Sequence, residues 1–219
     1  MANMKNYKYL FFDFDGTICD TYEGIKEILD LTFKHYGEDV PVELYRKYIG
    51  PPLSETFTKY WGEEKAYQAV AYFRENYAGK QAIFKTKLYD GIKECFDCCR
   101  AMGYRIGVAT CKKQEEAERL LDYFGIKNSV DFVSGLCYNV RETKQDVLEY
   151  ALQELSIGVK DAVMIGDTIY DVDGAKSVGM DCILCLWGFG EYDQIDEPNI
   201  IYRAKTPMDV CQFLQSDKE

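Results

Sequence analysis

Asp13 and Asp15 stand two residues apart where the apolar run Tyr7 to Phe12 stops, and Gly16 and Thr17 follow at once. A carboxylate can attack a phosphoryl phosphorus and form an aspartyl-phosphate that water then cleaves, so that one difficult displacement becomes two easier ones. Asp13 is the candidate nucleophile. Asp15, on the same side of an extended chain, can protonate the departing alkoxide and later deprotonate water. Gly16 permits the tight backbone that brings main-chain groups close to a phosphate, and the Thr17 hydroxyl can tie the loop.

Carboxylates gathered around a phosphate repel it. At roughly 4 Å and an effective dielectric near 20, each pair of like charges costs about 4 kcal/mol, so cations are required. Asp13 and Asp167 offer hard oxygens suited to an octahedral Mg²⁺, and Asp171, one helical turn further on, is either a direct ligand or a supporting group. Lys144 can set an ammonium on the phosphoryl oxygens, and Thr110 adds a hydroxyl donor. Taken singly, each also fits a bland reading: a helix-capping Asp, a solvated Lys at a helix start, a turn-forming Thr. D-x-D-G-T after an apolar run arises by chance only about once in 10⁵ positions, and a second apolar run ending in G-D-x-x-x-D, Gly166 to Asp171, sharpens the signal.

The elements that position these residues alternate. Besides the first run, Tyr104 to Thr110, Ala162 to Ile165 and Cys182 to Trp187 read as buried strands, with Val130 to Ser134 a weaker one. Gln114 to Phe124, Lys144 to Leu155 and Asp171 to Val178 read as helices, the first and last closed by Gly125 and Gly179. Such alternation predicts an α/β fold with a doubly wound parallel sheet, whose ligands bind at the carboxyl ends of the strands. Asp13, Thr110 and Asp167 all fall at such ends.

The stretch between the first strand and Tyr104 is too long for one crossover helix. Ile25, Ile28, Leu29, Thr32, Phe33 and Tyr36 repeat at helical spacing, with Asp20 or Thr21 as N-cap and Gly37 as the stop. Pro41 opens a second helix, Leu53 to Trp61 forms a third, and Glu63 to Tyr77 a fourth. Residues 18–85 are therefore expected to form an all-α cap over the strand ends, with 1–17 and 86–219 as the core. Hinges are expected near Ile18 to Asp20 and Thr86 to Gly91. The turn Gly50 to Leu53 is expected to face the site. Ile92 to Met102 returns the chain to the sheet, and Thr206-Pro207-Met208-Asp209 starts a last helix.

Composition limits the partners. The 219 residues carry a formal charge of -11, which argues against a nucleic-acid or anionic-membrane surface. No apolar stretch approaches the ~20 residues of a membrane span, and no signal peptide is visible. Nine cysteines without such a signal predict free thiols in a reducing cytoplasm. Cys95, Cys98 and Cys99 fit a helix face as small hydrophobes better than a metal site. The expected state is a cytoplasmic monomer or homodimer.

At these motifs the chain resembles the haloacid dehalogenase (HAD) superfamily of phosphatases, close to its phosphoglycolate phosphatase-like group with an α-helical cap. The resemblance rests on FFDFDGT at Phe11 to Thr17, VATCK at Val108 to Lys112, Lys144 in RETK, and IGDTIYDV at Ile165 to Val172. It implies a HAD-like core with strand order 5-4-1-2-3 and the main-chain carbonyl of Asp15 as a further Mg²⁺ ligand. The implied substrate is a small phosphorylated metabolite. Cys111 stands where Ser or Asn is common, and its backbone amide would still bind phosphate. R-x-x-K at Arg141 to Lys144 also resembles cytosolic 5′-nucleotidase-like members, so that substrate class stands as an alternative, as does a phosphosugar mutase. A dehalogenase would not need Asp15. A non-catalytic phosphate-binding protein would have no reason to keep Asp13, Asp15, Lys144 and Asp167 together.

Overall fold

The computed structural model describes residues 7–216. In chain order, strand β1 (Tyr9–Phe12) leads to β2 (Cys19–Asp20), α1 (Tyr22–His35), a 3₁₀ turn at Val42–Tyr48, α2 (Leu53–Gly79) and β3 (Lys87–Leu88). There follow α3 (Ile92–Ala101), β4 (Arg105–Lys113), α4 (Gln114–Tyr123), β5 (Phe132–Leu136), α5 (Lys144–Glu154) and β6 (Ala162–Gly166). The chain then passes through α6 (Ile169–Val178), β7 (Asp181–Cys185), β8 (Ile200–Ala204) and α7 (Pro207–Ser216).

Six strands form one sheet in the order β5-β4-β1-β6-β7-β8, every neighbouring pair parallel. Counting core strands along the chain, this is the expected 5-4-1-2-3 with one more strand, β8, on the β7 edge. Strand β1 lies at the centre, buried along its whole length. Its side chains alternate: Leu10 and Phe12 enter the apolar cluster on one face, Tyr9 and Phe11 the cluster on the other. Helices α3, α4 and α7 pack on the first face and α5 and α6 on the second, so the sheet is doubly wound. Strand order reverses at β1, where the chain returns from β5 to β6. A crevice opens at the carboxyl end of such a switch point.

The helices between β2 and β3 share the first cluster. Phe33 sits in a nest of Tyr45, Tyr48, Phe57, Tyr60 and Trp61, with ring centroids 5.0 to 5.9 Å away. The helices expected at Leu53 to Trp61 and Glu63 to Tyr77 run on without a loop, broken only where Gly62 takes φ 74° and ψ 170°. The segment opened by Pro41 is a 3₁₀ turn instead of the expected α-helix. Pro41 is extended (ψ 131°), and within the turn only Tyr45 is buried, too little apolar surface to hold a full helix against the core. The two expected hinge segments meet as the antiparallel pair β2 and β3, with Cys19 opposite Leu88 and Asp20 opposite Lys87.

One further expectation is corrected. Cys98 and Cys211, 113 residues apart, form a disulfide between α3 and α7, so the cysteines are not all free thiols. Strand β8 escaped notice because its residues are mostly half-exposed and give no clean alternation. Among the described residues no helix is long and apolar enough to cross a membrane.

Candidate active site

Asp13 follows β1 directly, and its N–H donates to the carbonyl of Ile165 in β6 at 2.8 Å. Lys144 is the first residue of α5, whose start is fixed by a capping box. Asp146 N–H donates to Thr143 Oγ1, and Asp146 Oδ2 accepts from Thr143 N–H. From there the Lys144 ammonium reaches Asp13 Oδ1 at 2.7 Å, Asp171 Oδ1 at 2.7 Å and the Ala109 carbonyl at 2.9 Å. Its stem runs over Gly174, where an added Cβ would lie 2.3 Å from Lys144 Cγ. Only glycine leaves that path open.

Asp167 is fully buried, and both its oxygens are oriented by the chain. Thr17 Oγ1 donates to Oδ1 at 3.0 Å and the Phe189 N–H to Oδ2 at 2.6 Å. A Cβ at Gly188 would come within 2.2 Å of Oδ2, so the loop after β7 has to be glycine there to wrap the carboxylate. Asp171 has two duties. Its Oδ2 caps α6 by accepting from Thr168 N–H and Oγ1, while its Oδ1 meets the Lys144 ammonium as an ion pair and, among the described residues, accepts no hydrogen bond.

Asp13, Asp167 and Asp171 each bring one carboxylate oxygen to within 4.8 Å of the others. Burial, opposed by Lys144 and reinforced by Asp171 and Asp15, pushes the Asp13 carboxyl up to about 7. Burial and the neighbouring Asp171 and Asp13 push Asp167 well above the carboxylate range. Lys144 goes the other way from most buried amines: burial disfavours its charge, but Asp13 and Asp171 outweigh it and hold the ammonium above its ordinary range. One ammonium among three buried carboxylates leaves negative charge uncompensated, and hard oxygen donors at this spacing fit a divalent cation such as Mg²⁺.

The Asp15 carboxylate lies outside this cluster. It forms an ion pair with Lys112, whose Nζ is 3.0 Å from Oδ1 and 3.3 Å from Oδ2. Lys112 is itself buried, between the rings of Tyr77 at 5.2 Å and Phe14 at 5.9 Å. Both residues line a small cleft of about 60 Å³ together with Gly50, Pro51, Leu53, Phe73, Arg74, Tyr77 and Cys111. The expected turn thus faces the cleft, and an added Cβ at Gly50 would press on Thr168 at 2.8 Å. Thr110 is buried beside Cys111. Its Oγ1 accepts the Lys112 N–H at 3.1 Å, which leaves its own proton free to donate. Limited access to water pushes the Cys111 thiol up to about 12, so it stays neutral and uncharged toward an anion.

Lys112, Thr17, Gly174 and Gly188 were not singled out as partners of these groups from sequence. For Lys112 a signal existed: it follows Thr110 by two residues, and alternation along an extended strand sends both to one side. Gly188 and Gly174 carry no local signal, because the neighbours they accommodate are distant in the chain.

The sequence pattern of the family described as haloacid dehalogenase-like hydrolase matches residues 10–185, most of the chain. The chain belongs to this family. Among its HAD relatives, the protein named tyrosine-protein kinase PtkA of Mycobacterium tuberculosis is 35% identical over 188 residues, 85% of this chain and 64% of that protein. This chain thus spans about two-thirds of that relative's length. A 5′-nucleotidase of Pseudomonas aeruginosa is 28% identical over 212 residues, 95% of this chain and 92% of that one. Of solved HAD structures, one described as a predicted phosphatase from Clostridium acetobutylicum superposes with TM-score 0.90 at 30% identity, covering 96% of this chain and 99% of that one.

The charge imbalance yields a stability prediction. Asp13 binds its proton more tightly in the folded chain, at about 7, than at the ordinary 3.8, so the folded state holds an extra proton through that window. Its stability is therefore present at the acid end and lost as pH rises through about 7. In EDTA the melting temperature is expected to fall by several degrees from about pH 5.5 to about pH 7.5, and Mg²⁺ is expected to restore most of it at the upper pH. Differential scanning calorimetry in the two buffers checks this; a metal-free melting temperature that rises with pH would contradict the buried-carboxylate account.

Proposed function

We propose that this protein is a Mg²⁺-dependent phosphatase that hydrolyses small phosphate monoesters through an aspartyl-phosphate on Asp13. The observation that carries the reading is the convergence of Asp13, Lys144, Asp167 and Asp171 at the carboxyl end of the central strand, next to a cleft walled by Asp15. Asp13, Asp167 and the Asp15 carbonyl would hold the Mg²⁺, with Asp171 supporting. When bound, the ion would polarise a phosphoryl oxygen and offset the negative charge there.

In this reading an Asp13 oxygen bonds to phosphorus as the ester P–O bond breaks, and Asp15, entering the step in its protonated form, gives that proton to the departing alkoxide and becomes the carboxylate that pairs with Lys112. Asp15 then removes a proton from water, whose oxygen displaces Asp13 and frees inorganic phosphate. Lys144, the Thr110 hydroxyl and the Cys111 N–H would bind the phosphoryl oxygens. Lys112 keeps the Asp15 carboxylate in the wall of the cleft. The helices of residues 18–85 act as a cap that shuts out bulk water and, through the Gly50 to Leu53 turn, meets the leaving group.

A phosphoglycolate phosphatase-like substrate is the first reading, and a relative of that name from Aquifex aeolicus, 26% identical over 83% of this chain, supports it. A nucleoside 5′-monophosphate is the second, favoured by the Pseudomonas relative that matches nearly end to end. Phosphate release from 2-phosphoglycolate, nucleoside 5′-monophosphates, sugar phosphates and pyrophosphate, with Mg²⁺ or EDTA, tests the proposal. Release is expected with Mg²⁺ and its loss in EDTA; full activity in EDTA would refute the metal dependence. Asp15→Asn should lose at least about tenfold more on alkyl than on aryl phosphates, because an aryl oxide leaves without a proton. Equal losses on both would remove Asp15 from the acid role.

A further inference from the structure

Arg74, in the second half of α2, lines three spaces, two of which Leu53 also lines. Of these two, one is the cleft beside Asp15 and Lys112; the other is a wider groove of about 450 Å³ outside it, bounded by Tyr67, Tyr138 and Arg141. Its guanidinium carbon lies 4.3 Å from the centre of the Tyr138 ring. A cation–π contact of this kind holds the guanidinium against the ring without using its N–H donors. Among the described residues Arg74 makes no ion pair and no hydrogen bond. The other cations of the cleft are already matched, Lys112 by Asp15 at 3.0 Å and Lys113 by Glu115 at 2.7 Å. Glu116 lies on the same wall and feels the charge of Arg74. It makes no ion pair with Arg74, and burial pushes its carboxyl upward against the pull of Lys112 and then Arg74.

A half-buried guanidinium with its donors unused, at the point where the cleft opens into a groove, is suited to an anion brought by the ligand. We infer that Arg74 is a specificity-determining residue that pairs with a second anionic group, a carboxylate or a second phosphoryl, carried by the alcohol part of the phosphate ester. The inference rests on the phosphatase reading. Neutral polyols and simple alkyl alcohols offer nothing to Arg74, whereas the groove beyond it gives room for the rest of a longer leaving group.

The test measures kcat/KM with Mg²⁺ on matched esters. Those carrying a second anion are 2-phosphoglycolate and a short diol bisphosphate; the neutral ones are ethyl phosphate and glycerol phosphate. Wild type is expected to prefer at least one second-anion ester by about tenfold or more, and Arg74→Gln to abolish that preference, mainly through KM. Arg74→Lys is expected to restore part of it. The ester whose advantage disappears identifies the anion as carboxylate or phosphoryl. A wild type with no such preference, or an Arg74→Gln protein with wild-type melting behaviour and an undiminished preference, overturns the role of Arg74. If wild type releases phosphate from none of the esters, the phosphatase reading itself fails, and the inference falls with it.

Discussion

Asp13→Asn is expected to lower kcat by at least about 10⁴-fold while the purified protein still folds. That loss corresponds to roughly 5.5 kcal/mol of transition-state stabilisation, at 1.36 kcal/mol per tenfold change in rate. It is this large because, in the proposed mechanism, the amide removes a nucleophile and a hard metal ligand together. The fold should tolerate the change, since the volume is unchanged and a buried carboxyl whose ionisation is disfavoured becomes neutral. Lys144 keeps Asp171 and the Ala109 carbonyl as partners. Steady-state kinetics and a thermal melt on the same preparation check both halves; wild-type-like turnover by Asp13→Asn would end the mechanism.

Lys144→Met is expected to cost about 10³-fold in kcat/KM and, unlike Asp13→Asn, to destabilise the fold by about 3 kcal/mol at neutral pH. Methionine fills the space of the stem along Gly174 but removes the one ammonium that sits among Asp13, Asp171 and the Ala109 carbonyl. Breaking a buried pair from one side strands the remaining charge, which is why the loss exceeds that of an exposed bridge. The destabilisation should shrink as pH falls and the stranded carboxyls take up protons, or when Mg²⁺ is added. Lys144→Arg is not expected to rescue activity, because the planar guanidinium is wider than the channel over Gly174. Urea melts at two pH values with kinetics alongside measure this; unchanged kcat/KM in Lys144→Met would show that another cation holds the phosphoryl group.

The parts legible in the sequence were those with a short-range physical cause. The run Tyr9–Phe12 is apolar because both faces of β1 are covered, and it ends in Asp13 because the crevice begins there. Gly125 and Gly179 end their helices at φ 67° and 76°, a conformation that glycine adopts without strain. What escaped depends on distant partners. The Lys112 ion pair needs β4 to continue past Thr110 so that its side chain meets Asp15, 97 residues earlier. The Phe189 N–H that orients Asp167 comes from a loop with no periodicity to mark it. Arg74 stands on a helix whose pattern gives it no distinction, and only the packing of α2 against the β5–α5 loop sets it over Tyr138. The Cys98–Cys211 bridge joins two helices 113 residues apart and could not be assigned from an odd count of cysteines.

The central claim is that Asp13, and not water, makes the first bond to phosphorus. Two successive in-line displacements invert the phosphorus centre twice, whereas direct attack by water inverts it once. The measurement is therefore the stereochemical course of hydrolysis of an isotopically chiral phosphorothioate ester in labelled water by the wild-type, Mg²⁺-loaded protein. Overall retention is the predicted result. Inversion would contradict the aspartyl-phosphate on Asp13.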